Sequence, residues 1–346
     1  MVTANIGILL VNLGTPNSPR PFDVFNYLNE FLTDERVIDF GWLKRQLFVR
    51  GVIVPFRFRQ SAKLYESIWT EKGSPLLLHG IDVRNKLQEE LGDEYFVSLG
   101  MRYQNPSIKS CLDELKMKHL KEIIIIPMFP QYSSATTGSV NAKIMEEIKY
   151  WEVIPKLTFI NNFADHPGFI NALCERARQY DIGSYDHILF SYHGLPERQI
   201  RKADKENKCL SRSCCKSLSE QNQHCYKGQC YATTRRLVEK LGLSENQYSV
   251  CFQSRLGRDP WIQPYTSDVI KNCSEKGWKN LLVFSPSFVA DCLETISEIG
   301  HEYNVEFQKL GGERLQLVEG LNSHPKWIEG LKQIIVENSV MTSNKV

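Results

Sequence analysis

One histidine stands in a setting that suits proton transfer or metal binding. His193, in Ser191-Tyr192-His193-Gly194-Leu195-Pro196, follows a short apolar run, which predicts a buried strand ending at this motif. Open α/β sheets bind their ligands at the carboxyl ends of strands. Gly194 and Pro196 predict a tight turn that fixes the imidazole, which can accept a proton or bind a metal. A hydrogen-bonded structural histidine is the alternative.

A row of acidic residues is the second candidate for chemistry. Glu294, Glu298 and Glu302 recur every four residues after the apolar run 281–284, and Asp291 precedes them. On a helix these glutamates share one face. Neighbouring carboxylates raise one another's pKa, so a row facing a cleft could conduct protons or hard cations. A solvated helix face is the alternative.

Three loops follow other predicted strands, at residues 14–16, 130–139 and 253–261. They bring hydroxyl groups, arginines and an aromatic ring to the carboxyl edge of the sheets. The loop at 130–139 could also bind an anion through the amides of a following helix. Each signal is weak alone, because capped loops occur throughout α/β proteins.

Cysteine is concentrated in one segment. Five of the ten cysteines lie within 22 residues, at Cys209, Cys214, Cys215, Cys225 and Cys230. In a large chain without a secretion signal, such clustering favours a metal or redox site over a disulfide framework. The polar region around them, about 199–231, reads as an insertion after the strand that ends at Tyr192.

The elements that must position these residues alternate between strand and helix. Continuous apolar runs, typical of strands buried on both faces, occur at 6–11, 95–99, 123–128, 157–160, 187–192, 248–253 and 281–284. Helical periodicity lies between them, as in Val83, Leu87 and Leu91. The pattern predicts an α/β protein with two doubly wound parallel sheets of about four strands each. We expect domains at 1–162 and 163–322, with a helix at 323–339 packing back on the first.

Composition narrows the class of protein. Hydrophobic residues make up 42% and charged residues 24%, and the formal net charge is +2. This balance is that of a globular protein, and it gives no reason to expect nucleic acid as a partner. No apolar run is long enough to span a membrane, and the first residues lack the features of a signal peptide. We therefore expect a cytoplasmic protein.

The segment 40–59 departs from the alternating pattern. It is rich in Phe, Leu, Val and Trp, with Lys44, Arg45, Arg50, Arg57 and Arg59 among them. One interpretation is a core-packing helix with a basic outer side. The other is a lip that admits a flat apolar ligand carrying carboxylates, or that transiently touches an anionic membrane surface.

The motifs together resemble the ferrochelatase family, whose members insert ferrous iron into a porphyrin. The resembling segments follow the family order over almost the whole chain: 10–16, 73–76, 101–103, 130–139, 191–198, 252–266 and 290–298. The resemblance implies two Rossmann-like domains with a porphyrin cleft between them. It also implies Fe²⁺ and a porphyrin as substrates and no organic cofactor.

The resemblance assigns roles to individual residues. His193 and Glu294 match positions that face the macrocycle centre, and Glu298 matches the next member of an acidic path. Cys292 stands where many relatives have histidine, which argues against proton transfer at that position. The matched porphyrin-binding positions are Leu13, Arg57, Tyr65, Ser74, Arg102, Tyr132 and Trp261.

The substrate and the reaction leave alternatives. Leu13 resembles the protoporphyrin branch, since relatives acting on coproporphyrin commonly carry tyrosine there. Cobalt and nickel chelatases of tetrapyrrole synthesis form one competing class. A non-catalytic haem or porphyrin carrier forms another, but a carrier has no need for His193 with Glu294 and Glu298.

The cysteine-rich insertion also has a counterpart in the family, because some bacterial ferrochelatases carry a [2Fe–2S] cluster on internal cysteines. Four thiolates suit such a cluster or zinc. Zinc knuckles usually space paired cysteines by two residues, whereas four residues separate Cys209 from Cys214 and Cys225 from Cys230. The cluster is favoured over zinc or free thiols, with Cys209, Cys214 or Cys215, Cys225 and Cys230 as ligands.

Overall fold

Apolar segments form two parallel sheets in the computed structural model, which describes residues 4–204, 209–210, 214–257 and 259–339. The first sheet has the order β2-β1-β3-β4 and the second the order β6-β5-β7-β8. The strands are β1 (Ile6–Gly14), β2 (Tyr95–Tyr103), β3 (Glu122–Pro127), β4 (Lys156–Phe159), β5 (His187–His193), β6 (Tyr248–Gln253), β7 (Asn280–Phe284) and β8 (Arg314–Leu317). The predicted α/β class with two parallel sheets is confirmed.

Helices connect the strands, as parallel pairing requires. The α-helices are α1 (Pro21–Leu32), α2 (Trp42–Phe48), α3 (Val54–Ile68), α4 (Pro75–Leu91), α5 (Ile108–Lys116), α6 (Ser139–Ile148), α7 (Pro167–Ala177), α8 (Glu197–Ala203), α9 (Tyr226–Leu241), α10 (Thr266–Glu275), α11 (Asn304–Lys309) and α12 (Pro325–Asn338). Wider π-helical turns occupy Val49–Ile53, Ser134–Gly138 and Glu294–Tyr303, and a 3₁₀ turn occupies Ile182–Ser184. None of the helices in the described ranges has the length and apolar character needed to cross a bilayer.

The chain divides into two compact units. The first comprises the described residues up to Phe129, Ser133–Asn162 and those from Asn322 onward, and the second comprises Pro130–Tyr132 and Phe163–Leu321. The cysteine-rich insertion belongs to the second unit, and residues 205–208 and 211–213 of it lie outside the described part of the chain.

In the first unit the sheet is buried on both faces. Leu9 and Ile125 of the central strands are fully buried and pack with Leu112 of α5 and Ile144 of α6. Helix α12 packs against α4, and its Trp327 is fully buried. The continuous apolar runs of β1 and β3 follow from this two-sided burial.

In the second unit the central strands β5 and β7 are equally buried. Leu189 and Val283 pack with Ile270 of α10 and Phe307 of α11. Because the strands are parallel, their carboxyl ends lie along one edge of the sheet. His193 and Gln253 occupy that edge as adjacent partners in the β5–β6 ladder.

Candidate active site

His193 is held at the end of β5 through both its backbone and its ring. Its backbone N–H donates to Ser287 Oγ at 3.0 Å, and its carbonyl accepts from Tyr226 Oη at 2.7 Å. Ring atom Nδ1 lies 2.7 Å from the carbonyl oxygen of Gly194. A carbonyl can only accept, so Nδ1 is the donor, and in the neutral imidazole Nε2 then carries the lone pair. No described residue forms a hydrogen bond with Nε2.

The turn after His193 requires a glycine. A Cβ on Gly194 would lie 2.8 Å from the Gln253 carbonyl oxygen and 3.1 Å from the Trp261 ring. Trp261 is buried and its ring centroid lies 6.5 Å from that of His193. The Phe288 ring centroid lies 6.2 Å from that of His193. The glycine thus lets the Trp261 ring and the Gln253 carbonyl approach the turn.

Gln253 connects the histidine strand to the acidic helix. Its Oε1 accepts from Ser191 Oγ at 2.9 Å. Its Nε2 lies 3.3 Å from both the carbonyl oxygen of Glu294 and the carboxylate of Glu298. The sequence analysis did not single out this residue. The available signal was a polar residue at the last position of an apolar strand, where the structure shows it to be buried.

Glu294, Glu298 and Glu302 lie on the π-helix Glu294–Tyr303, here called the acidic π-helix. Its hydrogen bonds run from i to i+5 rather than i to i+4, so the expected α-helical geometry is corrected to a wider turn. Glu294 and Glu298 are half-buried and Glu302 is exposed. The three carboxylates therefore do not share one environment.

Glu298 is the most heavily bonded carboxylate of this helix. It accepts from the Ser254 N–H at 2.8 Å and from Tyr303 Oη at 3.2 Å, as well as from Ser254 Oγ and Gln253 Nε2. Burial, together with the Glu298 charge, raises the pKa of Tyr303. Glu298 thus anchors the acidic π-helix to the end of β6.

Asp291 and Cys292 are buried before the acidic π-helix. Asp291 accepts from the Gly320 N–H at 3.2 Å and from Thr295 Oγ1 at 3.1 Å. Burial and the neighbouring Glu294 charge raise the pKa of the Cys292 thiol well above its ordinary value. The thiol is therefore protonated at neutral pH.

Two predicted porphyrin-binding residues of the first unit, Leu13 and Ser74, lie at the carboxyl end of β1. Leu13 is the penultimate residue of β1 and is half-buried. Ser74 precedes α4 and is buried, and its Oγ lies 2.9 Å from Thr15 Oγ1. Tyr65 of α3 is buried and packs edge-on against Tyr27.

Arg102 does not project freely, because it pairs with a carboxylate that the sequence analysis missed. Its Nη2 lies 2.6 Å from Asp34 Oδ2, and its Nε donates to Ser139 Oγ at 2.7 Å. Tyr103 Oη also donates to Asp34 Oδ2, at 2.9 Å. Burial opposes ionisation of Asp34, but hydrogen bonds from Ser139 and the Arg36 amide outweigh it and lower the pKa.

Several apolar side chains of the segment 40–59 point to solvent. Trp42 is 67% and Phe56 82% exposed. We call the following set the apolar-basic face: Trp42, Leu43, Leu47, Phe48, Val52 and Phe56, with Lys44, Arg50, Arg57 and Arg59. Arg45 is not part of it, because Arg45 is buried and donates to the Phe40 carbonyl. Val49 and Val54 of the same segment are fully buried and pack with Leu32. The segment therefore packs on the core with one side, as the first interpretation expects, but its outer side is apolar as well as basic.

Tyr132 lies in the second unit and is half-buried, with its ring 6.1 Å from that of His224.

In the insertion, Cys209 Sγ lies 3.9 Å from Cys225 Sγ, and Cys214 Sγ lies 3.7 Å from Cys215 Sγ. Cys230 is fully buried in α9. Across the described ranges, no three His, Cys, Asp or Glu side chains form a group that could hold a metal ion as they stand.

Comparison with known proteins gives the family. The model of the ferrochelatase family matches residues 5–339. The ferrochelatase of Legionella pneumophila is 46% identical over 96% of this chain and 98% of its own length. That of Coxiella burnetii is 42% identical over 95% of this chain and 92% of its own length.

Solved structures support the fold. The structure of SirB from Bacillus subtilis with Fe³⁺ has a TM-score of 0.54 at 10% identity, covering 99% of this chain and 98% of that one. The sirohydrochlorin chelatase SirB from Bacillus subtilis subspecies spizizenii, in complex with cobalt, has a TM-score of 0.52 at 9% identity. At such identities the likeness concerns the fold alone. Sequence identity over nearly the whole length carries the assignment further, and this chain belongs to the ferrochelatase family.

Proposed function

We propose that this protein is a ferrochelatase that inserts Fe²⁺ into protoporphyrin IX, giving protohaem and two protons. Family membership supports the reaction. The observation that carries the mechanism is the fixed imidazole of His193, whose Nδ1 is committed to the Gly194 carbonyl and whose Nε2 keeps its lone pair. An acceptor of that kind is what removal of the two pyrrole protons requires.

Metalation of a porphyrin has three physical requirements. The ring must bend so that its nitrogen lone pairs point outward, two N–H protons must leave, and Fe²⁺ must lose its water. Binding energy from apolar walls and from held propionates can strain the macrocycle. Trp261 and Phe288 supply such walls beside His193.

Each polar residue then has one role in the proposal. His193 Nε2 has one lone pair, so it accepts the two pyrrole protons one at a time and releases the first, to Glu294 or to solvent, before it accepts the second. Glu294, at the more buried end of the acidic π-helix, passes on protons or receives the iron. Glu298 holds the helix against Ser254 and Gln253. Among the porphyrin-binding residues, Arg57 and Arg102 would hold propionates, and Asp34 orients Arg102. Leu13, Tyr65, Ser74, Tyr132 and Trp261 would complete the porphyrin-binding set.

Anaerobic turnover with a panel of substrates tests the reaction. Protein, Fe²⁺ and either protoporphyrin IX or coproporphyrin III are mixed, and metalation is followed by the change in porphyrin absorbance. Faster metalation of protoporphyrin supports the proposal and the significance of Leu13. Preference for coproporphyrin would overturn the choice of substrate. Preference for Co²⁺ or Ni²⁺ with another tetrapyrrole would overturn the choice of Fe²⁺ as the metal substrate. Porphyrin binding without metalation would indicate a carrier.

We further propose that the insertion holds a [2Fe–2S] cluster. Two thiolates on one tetrahedral metal, at about 2.3 Å each, lie about 3.8 Å apart. The pairs Cys209–Cys225 and Cys214–Cys215 have separations of 3.9 and 3.7 Å. Two such pairs fit the two irons of the cluster, which is why these four are better candidates than a set that includes the deeply buried Cys230.

The thiols of the insertion differ in their pKa: that of Cys225 is lowered, whereas those of Cys209 and Cys215 are raised. A hydrogen bond from the Cys215 thiol lowers the pKa of Cys225 to about 6 against the opposing effect of burial. Thiolates are the form that binds metals. When bound, a [2Fe–2S] cluster would supply one-electron redox chemistry and a crosslink within the insertion.

Metal analysis of anaerobically purified protein tests this assignment. We expect a reddish-brown protein whose visible absorbance is bleached by dithionite, with iron and sulfide near about two per chain. Cys214→Ser and Cys215→Ser should each lower the iron content, whereas the matched variant Cys273→Ser should not, since Cys273 is buried in α10, outside the insertion. A colourless protein with stoichiometric zinc would reverse the assignment.

We also propose that the protein is cytoplasmic and that the apolar-basic face touches anionic membranes transiently. Exposed Trp42 and Phe56 can enter the headgroup region while Arg50 and Arg59 attract anionic lipids. Such contact would bring the protein near an apolar porphyrin that partitions into the bilayer. It should be weak and sensitive to salt.

A further inference from the structure

The first turn of α9 carries a buried hydroxyl that bonds to the backbone of His193. Tyr226 is the first residue of this helix, and its Oη donates to the His193 carbonyl oxygen at 2.7 Å. Tyr226 is buried. A buried carbonyl that loses its donor is costly to leave unpaired, so Tyr226 restricts where the His193 peptide can lie.

The same turn also bonds to the backbone of Tyr132, a second candidate site residue. Gln229 Oε1 accepts from the backbone N–H of Tyr132 at 2.6 Å, and Gln229 Nε2 donates to the Gln223 carbonyl at 2.6 Å. One turn further, Thr233 Oγ1 lies 3.0 Å from Gln131 Nε2. The start of α9 therefore fixes the backbone at both His193 and Tyr132.

This turn begins directly at the cysteine-rich insertion. Cys225 is the N-cap of α9, and its Sγ accepts from the Gly228 N–H at 3.5 Å. The same sulfur lies 3.9 Å from Cys209 Sγ. The sulfur atom that caps the helix thus also belongs to the cluster of cysteine thiols in the insertion. The next residue along the chain is Tyr226.

From these contacts we propose that Tyr226 is a positioning residue for His193, and that the turn Cys225–Gln229 couples the Cys225 sulfur to that position. Replacing or ligating the Cys225 sulfur changes the N-cap of α9 and hence the placement of the Tyr226 hydroxyl. The His193 peptide follows, because Tyr226 Oη is the donor to its carbonyl. The bond between His193 Nδ1 and the Gly194 carbonyl, which sets the tautomer of the neutral imidazole, changes with it. The consequence for metalation rests on the proposed function, but the coupling itself does not.

The test uses Tyr226→Phe in the full-length protein, with Tyr192→Phe as the matched control. Each substitution removes one buried tyrosine hydroxyl. Tyr226 is part of α9, whereas the Tyr192 hydroxyl contacts α9 through Thr234 Oγ1 at 2.8 Å and does not bond to His193. The readout is the imidazole ¹⁵N chemical shifts of His193, assigned with His193→Gln. We expect well-separated Nδ1 and Nε2 signals in the wild type and in Tyr192→Phe, and a smaller separation in Tyr226→Phe.

The kinetic readout separates positioning from folding. Tyr226→Phe should lower kcat for metalation by roughly tenfold or more, since a small misplacement of a reacting group is costly. KM for the porphyrin should change far less. Unchanged ¹⁵N signals in Tyr226→Phe, or equal changes in Tyr192→Phe, would overturn the positioning role.

Cys225→Ala, alone and combined with Tyr226→Phe, tests the coupling, because alanine cannot accept the N-cap hydrogen bond. We expect Cys225→Ala to change the His193 signals in the wild-type background and to add nothing in the Tyr226→Phe background. An unchanged His193 spectrum in Cys225→Ala, or additive changes in the double variant, would overturn the coupling. The spectra require no turnover, so a protein without chelatase activity would refute the proposed function and leave this test valid.

Discussion

Gln253 lies opposite His193 in the β5–β6 ladder, and its side chain turns toward the acidic π-helix. The backbone of Gln253 also accepts from the Gly194 N–H at 2.8 Å. One buried residue therefore bonds to the turn that fixes the histidine and to the helix that carries Glu294. Gln253 therefore links His193 directly to the acidic π-helix.

Glu298→Gln should destabilise the fold. The carboxylate accepts from Ser254 and Tyr303 as well as Gln253, and a neutral amide would direct its own N–H groups at some of these donors. We expect a loss of about 1.5–3 kcal/mol in the free energy of unfolding, as for hydrogen bonds to charged groups. Urea denaturation measures it. Glu302→Gln, at an exposed position, should change it by less than about 0.5 kcal/mol; equal effects would contradict the anchoring role.

Glu294→Gln should reduce metalation more than Glu302→Gln. Both residues belong to the acidic π-helix, but only Glu294 is half-buried and tied through its backbone to Gln253. We expect roughly tenfold or more loss of kcat for Glu294→Gln and little change for Glu302→Gln. Steady-state haem formation measures both. If both variants kept full activity, the acidic helix would be a solvated surface without a role in the reaction.

His187 should make stability depend on pH. Burial, followed by the charge of Lys276, lowers the pKa of His187 to about 4, while the unfolded chain has a value of about 6.5. The unfolded state binds the proton first as pH falls, so stability is lost between about pH 6.5 and about pH 4. Urea unfolding across this range measures the loss.

The matched variant His187→Gln should flatten that pH dependence. Glutamine does not titrate and can still bond to Ser249 Oγ, which lies 2.9 Å from His187 Nε2. The variant is expected to lose the packing of the imidazole on Trp278, whose ring centroid is 4.3 Å away. An unchanged pH slope in the variant would assign the dependence to other groups.

The double substitution Trp42→Ser and Leu47→Ser should weaken binding to anionic vesicles. Both side chains are more than half exposed on α2, so their loss should leave the fold intact. Flotation with vesicles of phosphatidylserine and phosphatidylcholine at low salt measures the association. The control, Val153→Ser with Ile154→Ser, removes exposed apolar side chains elsewhere in the first unit. Equal loss in both pairs, or no association of the wild type, would contradict membrane contact by this face.

The sequence predicts the buried framework well and the contacts of the site poorly. Strands such as β1 and β3 are covered on both sides and leave continuous apolar runs. Strand β8 was not predicted, because this edge strand begins at an exposed arginine and spans only four residues. Glutamates that recur every four residues are compatible with an α-helix and with the i to i+5 bonding of the acidic π-helix. The sequence therefore does not distinguish the two kinds of helix.

The bonds from Tyr226 to His193 and from Arg102 to Asp34 were missed for a different reason. They join residues 33 and 68 positions apart in the chain, and no local pattern encodes a pairing at that distance. Burial of Arg45 was likewise invisible among the exposed basic residues around it. From the sequence, Trp42 and Phe56 could be core or surface residues. Only the folded structure, in which both are exposed, decides between these interpretations.

The most direct test of the mechanism is single-turnover metalation by wild type and His193→Ala at equal porphyrin occupancy. Anaerobic stopped-flow absorbance follows haem formation, and fluorescence titration sets the occupancy. The account predicts that His193→Ala binds protoporphyrin IX within about tenfold of the wild-type affinity but metalates it ~10²–10⁴-fold more slowly. His301→Ala, at an exposed position, should behave as wild type. Metalation by His193→Ala within about threefold of wild type, far short of that loss, would contradict the role of His193 as proton acceptor.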